Sequence, residues 1–276
     1  MIFSPRVAAG AALLAAVFAI SWASILIRLA EAPSLAIAFW RVFFATAVFL
    51  PWAARPRGPT TRGTAALAVA AGALLAIHFA TWIHSLALTS VASSVVLVTT
   101  QPVFTAALGP LFLGERPGGL GIAAAAVALA GTAVLAGGDF ALGGKALAGD
   151  LLALAGAAAA AAYFMIGRRV RERIDFAPYL VLVNGSSAAF LLLFAAAAGT
   201  PLTGFPGATW WLLLLMAIGP HATGHGLLNW SVRRLRAFTV NMAVLGEPVL
   251  ATAYAAVLFG ERPGGAFFAG AALIGC

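Results

Sequence analysis

The sequence predicts an all-α integral membrane protein, ten transmembrane helices in two inverted five-helix repeats with the tenth truncated in this chain. Three observations predict it. Of 276 residues, 63% are hydrophobic and 9% charged, with a mean hydropathy of +1.03. A soluble domain carries about 25% charge and keeps nearly all of it at its surface. The apolar residues fall into successive runs of about 20, the length a helix needs to cross a hydrocarbon core about 30 Å thick. A six-residue motif also recurs unchanged 146 residues further on. A soluble enzyme, a disordered tail and a nucleic-acid-binding domain are excluded.

Nine full runs follow one another. The first, 7–27, carries Trp22 and ends at Arg28. It is about twice the length of a signal-peptide core, and Pro33 would follow the Ala30-Glu31-Ala32 cleavage-like site, so it reads as a span. The second, 34–53, holds Arg41, the only basic residue well inside a run. Arg41 could bind a substrate carboxylate, although such an arginine more often snorkels or pairs with a helix C-terminus. The third, 64–88, places His78, Trp82 and Ser85 at i, i+4 and i+7, on one helical face. The fourth, 91–113, has a mixed stripe of Ser94, Val98, Gln101 and Thr105, with Pro102 inside it. The fifth, 119–137, and sixth, 149–167, are rich in Ala and Gly, which lets helices approach closely; the sixth adds Tyr163. The seventh, 177–198, follows Arg168, Arg169, Arg171 and Arg173. The eighth, 209–231, repeats His221, His225 and Asn229 at i, i+4 and i+8. The ninth, 236–259, has Glu247-Pro248 near its middle. A tenth starts near Gly264 and stops at Cys276. At 1.5 Å per residue it rises only about 20 Å, too short to cross, so the natural chain is expected to continue.

Polar side chains at membrane depth face a cavity or another helix. The stripes on the third, fourth and eighth runs therefore mark a polar cavity or hydrogen bonds between helices. Trp52, Trp210, Trp211 and Trp230 lie near run ends, where an interfacial belt is expected. Trp22, Trp82 and Tyr163 lie deeper, where rings line a cavity for an aromatic guest or simply pack. Glu247 is the most pointed candidate, because a carboxylate at a helix centre costs about 2.5–3.5 kcal/mol. It reads as a proton-coupling or amine-binding acid, or as a partner for groups freed where Pro248 kinks the helix.

Basic residues set the orientation. With the N-terminus in the cytoplasm, 12 Lys or Arg fall on the cytoplasmic side and 3 (Arg28, Lys145 and Arg262) on the other, with Arg41 inside a span. That asymmetry accounts for the +8 net charge and the pI near 11.2 without nucleic acid. Gly114-Glu115-Arg116-Pro117-Gly118-Gly119 recurs as Gly260-Glu261-Arg262-Pro263-Gly264-Gly265, and the same offset of 146 maps Gln101-Pro102 onto Glu247-Pro248 and Ser85 onto Ser231. The halves divide as 1–140 and 141–276. Each holds an odd number of spans, so the second copy inserts upside down. Inverted repeats of this kind place a substrate site near the midplane at the repeat interface.

The segment Ser93-Ser94-Val95-Val96-Leu97-Val98-Thr99-Thr100-Gln101-Pro102, its counterpart Gly246-Glu247-Pro248 and their GERPGG sequels resemble the drug/metabolite transporter superfamily, specifically its EamA-type exporters. The deep aromatic residues resemble the YddG-type aromatic amino-acid exporters. The resemblance implies a bacterial inner-membrane protein with a central cavity formed mainly by spans 1, 3, 4, 6, 8 and 9, and alternating access between the halves. The candidate cavity set is Trp22, His78, Trp82, Thr99, Gln101, Tyr163, His225, Asn229 and Glu247, with Pro102 and Pro248 as hinge points. The implied partners are the lipid bilayer and a small-molecule substrate, an amino acid or related metabolite of aromatic or hydrophobic character. A monomer suffices for this scheme, and no nucleic acid or cofactor is expected.

Several alternatives weaken on the same residues. A phosphate-bearing substrate would call for several Arg or Lys at membrane depth, and only Arg41 qualifies. A cationic or hydrophobic drug would rest on Glu247. No Walker A spacing and no HExxH appear, and the one cysteine, Cys276, can form no intrachain disulfide. The orientation is directly testable in a Cys276→Ser background. Arg173→Cys should label with a membrane-impermeant maleimide only from the cytoplasmic side, and Glu31→Cys only from outside; the opposite pattern would invert the topology.

Overall fold

The structure, a computed structural model, describes residues 5–54, 60–135, 144–259 and 265–275. Arg55, Arg57, Gly143, Gly260 to Gly264 and Cys276 lie outside these, and with them most of the second GERPGG segment and the boundary at residue 140. Among the described residues every regular element is a helix. Eight are long and apolar enough to cross a membrane: span 1 (Val7–Leu29), span 2 (Ser34–Ala53), span 3 (Arg62–Ser85), span 4 (Val91–Phe112), span 6 (Gly144–Val170), span 7 (Phe176–Ala197), span 8 (Gly207–Val232) and span 9 (Ala237–Leu258). Span 5 (Gly119–Val134) and span 10 (Gly265–Gly275) are shorter.

The boundaries follow local chemistry. Thr61 caps span 3, its hydroxyl accepting from the Thr64 N–H at 3.2 Å. Span 3 ends at Ser85 rather than residue 88, because a turn leads to Ser90, which caps span 4 by accepting from the Ser93 N–H at 3.0 Å. Span 6 runs past its expected 149–167 at both ends, since Lys145, Arg168 and Arg169 continue the helix beyond the apolar stretch that defines a hydrocarbon ruler. The fifth helix, expected over 119–137, is helical from Gly119 to Leu135, and residues 136 and 137 lie outside the described residues.

Three spans are broken and one is widened. Span 1 breaks at Ser21–Trp22. Span 4 stops at Val98 and restarts at Gln101; span 9 stops at Val244 and restarts at Glu247. These last two breaks stand at the offset of 146, and each restarts with a proline in its first turn. Proline lacks an N–H and clashes with the carbonyl four residues back, so the helix cannot run through, yet it suits a helix start. In span 4 side chains replace the missing bonds. Thr99 Oγ1 donates to the Val96 carbonyl at 2.9 Å, Thr100 Oγ1 to Leu97 at 2.7 Å and Gln101 Nε2 to Val98 at 3.3 Å. The matching positions in span 9 are Leu245, Gly246 and Glu247; the first two have no side-chain donor, and a carboxyl donates only when protonated. In span 8, Ala217–His225 is a π-helix containing Pro220.

The two halves pack mainly against each other: span 3 on span 6, span 1 on span 8, span 2 on span 7, span 4 on span 9 and span 5 on span 10. Exchanging every span for the one five places along maps this set of pairs onto itself. Small residues bring the partners close. The Gly156 carbonyl of span 6 accepts from His78 Nδ1 of span 3 at 2.9 Å. Outward-facing Leu14, Leu111, Leu120 and Val257 are 77–86% exposed, as lipid-facing residues should be. A Cβ at Gly156 would stand 3.1 Å from Thr81 Oγ1 and 3.3 Å from Trp82 Cβ. Gly156→Val should therefore cost about 1–3 kcal/mol by overpacking spans 3 and 6, visible as a lower thermal-unfolding midpoint in detergent, whereas Gly10→Val, with open space around it, should leave the midpoint unchanged.

Candidate functional site

The two half-helix starts meet at a central cavity of about 20 Å³. That is room for about one water molecule, against roughly 300–1,000 Å³ for a small-molecule pocket. A metabolite therefore enters only if the surrounding helices part. The wall combines Ile20 and Ala23 of span 1 and Arg41 of span 2 with polar or aromatic groups of spans 3, 4, 6, 8 and 9.

Span 3 supplies His78 and Trp82, whose rings stack at 5.8 Å with 13° between planes. The bond from His78 Nδ1 to Gly156 fixes the tautomer, so a neutral ring keeps Nε2 as its acceptor. Trp82 Nε1 is buried with no hydrogen-bond partner. Span 4 supplies Gln101, whose amide nitrogen is engaged at the break and whose Oε1 is unpartnered. Span 6 adds Phe164, span 8 adds His225 and span 9 adds Glu247.

Arg41 departs from its sequence expectation. It neither snorkels nor caps a helix: it is 0% exposed, its guanidinium lies over the Phe79 ring at 4.2 Å, and none of its three nitrogens has a hydrogen-bond partner. It brings span 2 into the cavity wall, beyond the six spans the family resemblance implied. The available signal was its isolation as the one basic residue inside a run. Phe79 and Phe164 carried no signal, being apolar residues in apolar runs.

Four other candidates lie off the cavity. Trp22 is half-buried and stacks on Tyr254 at 4.4 Å. The Thr99 hydroxyl is spent on the span 4 break. Tyr163 is buried, and its hydroxyl accepts from Asn229 Nδ2, which also donates to the His225 carbonyl at 2.7 Å. The polar stripe of span 8 thus splits. The π-helix changes the angular spacing that one face at i, i+4 and i+8 assumes. His221 and His225 stack at 5.2 Å, but His221 Nε2 donates to Asn184 Oδ1 of span 7 at 3.1 Å, and only His225 reaches the cavity. Pro102 and Pro248 sit in the first turns of the half-helices, Pro248 beside a second cavity of about 170 Å³ lined by Ser24 and Arg28.

On the arginine-rich face one ion pair ties four spans together. Arg168 Nε of span 6 meets Glu115 Oε1, just after span 4, at 2.9 Å. Arg168 Nη1 donates to the Arg233 carbonyl at the end of span 8 at 3.0 Å, and Glu115 Oε2 accepts from the Ala237 N–H at the start of span 9 at 3.2 Å. Deeper in, Asn241 Nδ2 of span 9 donates to Thr105 Oγ1 of span 4 at 2.6 Å. The glutamate of the repeated motif is thus a clasp at this face, where it and Arg168 line an open cleft of about 480 Å³, and smaller cavities of about 170 and 240 Å³ lie toward the opposite face.

The family model described as EamA-like transporter family matches residues 7–137 and again 147–276. A protein of known crystal structure shares the fold, with a TM-score of 0.80 over 97% of this chain and 93% of its own, at 21% identity. No curated protein sequence matches the chain significantly.

The clasp predicts a state-dependent effect. Both partners are about one-fifth exposed, so their pairing is worth about 0.2–1 kcal/mol. Arg168→Gln also removes the bond to the Arg233 carbonyl. It should leave the protein folded but raise maleimide labelling of an Asn241→Cys probe from the arginine-rich face; unchanged labelling would deny the pair a part in closing that face.

Proposed function

We propose that this chain, which belongs to the EamA-like transporter family, exports amino acids and related small metabolites, preferring aromatic or hydrophobic ones. The family moves small molecules across membranes. The observation that supports the substrate reading is the cavity wall. It carries one basic and one acidic side chain, Arg41 and Glu247, set among Trp82, Phe164 and the His78 and His225 rings. A zwitterion with an apolar side chain complements such a wall without leaving a net buried charge. A cationic drug would meet Glu247 but leave Arg41 uncompensated, and burying an unpaired charge is costly.

Transport proceeds by alternating access. The Glu115–Arg168 clasp holds the arginine-rich, cytoplasmic face shut, and opening it exposes the cavity to the cell interior. The breaks at Pro102 and Pro248 let the half-helices tilt. The span 9 break, lacking the hydroxyl and amide donors of span 4, is the softer hinge. Glu247 lies at that hinge and carries proton coupling or the substrate amine.

Purified protein in liposomes should take up labelled phenylalanine or tryptophan, and comparison with and without a pH gradient separates proton antiport from facilitated diffusion. Absence of uptake for every aromatic and aliphatic amino acid would overturn the substrate assignment. Ring stacking adds about 0.5–1.5 kcal/mol, so Trp82→Leu should weaken apparent affinity for aromatic over aliphatic substrates by about 2- to 12-fold. Glu247→Gln supplies the donor that Gln101 supplies to Val98; it should raise the thermal midpoint while abolishing gradient-driven transport. Full gradient-driven transport by this variant would remove Glu247 from coupling.

A further inference from the structure

We infer that Arg41 is the seat of the substrate carboxylate. The inference rests on the amino-acid reading above and assigns that reading an orientation. A guanidinium presents five N–H donors in a planar fork, and those of Arg41 are all unsatisfied in a position with no exposure. Phe79 covers one face of the plane and leaves the donor edge to be filled. The side chain is fully buried, so a partner reaches it only through the cavity it lines. The group that matches the fork in shape and charge is a carboxylate, held by two parallel bonds.

Glu247 does not fill the fork. It lines the same cavity and attracts Arg41 across it, yet makes no hydrogen bond to it, so the donors stay open. It stands instead at the start of its own half-helix, where the positive end of the helix dipole favours it. The equivalent start in span 4 bears neutral Gln101, so that dipole end has no resident anion. Trp82 Nε1 adds one more buried, unsatisfied donor to the same wall. Arg41 and Trp82 thus bring open donors to the wall, with the Glu247 carboxyl and the open Gln101 Oε1 as its acceptors. A carboxylate fits rather than a phosphate, since Arg41 is the only Lys or Arg in the wall.

The test uses wild-type protein in liposomes, with labelled L-phenylalanine as tracer. L-phenylalanine and 3-phenylpropionate should compete, whereas L-phenylalaninamide and phenethylamine, which lack the carboxylate, should compete at least tenfold more weakly. Arg41→Gln should lose phenylalanine transport at least tenfold, Arg41→Lys should retain part of it with weaker apparent affinity, and Arg41→Gln should unfold at or above the wild-type temperature. A merely structural arginine predicts the reverse, with stability lost and the carboxylate preference intact in the residual activity. Equal competition by phenylalaninamide, or wild-type transport by Arg41→Gln, would overturn the inference. If no amino acid moves but labelled 3-phenylpropionate does, and Arg41→Gln stops it, the amino-acid reading falls and the carboxylate seat stands. If no carboxylate is transported or quenches tryptophan fluorescence of the wild type, the seat falls too.

Discussion

No water reaches the core of a bilayer, so every backbone polar group there must find its partner inside the protein. The structure turns on how two helices that violate this rule are repaired. Spans 4 and 9 each stop and restart at membrane depth because a proline sits where the ladder would continue. Thr99, Thr100 and Gln101 return donors to the carbonyls exposed in span 4. Span 9 has Leu245, Gly246 and Glu247 in the same slots and closes its break with backbone donors, the Leu245 and Gly246 N–H groups reaching the Met242 and Ala243 carbonyls at 3.1 Å. Irregular backbone is tolerated at this depth only against protein or a cavity, and both breaks do lie against one.

The charges obey the same logic. Of the groups inside the spans, Arg41 and Glu247 are the expensive ones, and both converge on the central cavity. They come from spans 2 and 9, far apart in sequence, and attract each other across the cavity without a hydrogen bond between them. Ionisable groups at membrane depth mark substrate pathways. Most of the other buried polar side chains close on themselves: His221 on Asn184, Asn229 on Tyr163, Ser85 on Ser94 at 2.6 Å, Thr89 on Asp150 at 2.7 Å. Unpartnered buried atoms also occur away from the cavity, at Tyr179, Ser187, Ser231 and Asn241, but among the described residues Arg41 alone leaves all three guanidinium nitrogens open.

Much of the cavity was legible because helical periodicity is rigid. His78 and Trp82, four residues apart in a regular α-helix, point the same way. The same rule held only in part in span 8, where Pro220 lies in a π-helix: His221 stacks on His225 but hydrogen-bonds Asn184, and only His225 reaches the cavity. For Tyr163 and Trp22 the sequence shows depth alone, and depth does not distinguish a ring that faces the centre from one that packs on Asn229 or Tyr254. Arg41 was visible as an anomaly but not as a cavity residue, since nothing local to span 2 says which neighbour it faces.

The sequence by itself determined the architecture: helical runs of spanning length, the basic residues of one face, and a duplication whose register reappears in the paired breaks at Val98 and Val244. These are properties of composition and spacing along one chain, and a bilayer reads them directly. Only the tertiary structure decided which buried groups meet. Whether Arg41 finds a carboxylate, a carbonyl or nothing depends on how spans 2, 3 and 9 are rotated against each other. That rotation is set by contacts across the two halves, such as the His78–Gly156 bond and the Glu115–Arg168 clasp. Periodicity fixes a residue's angle on its own helix, and packing alone fixes the angle of the helix.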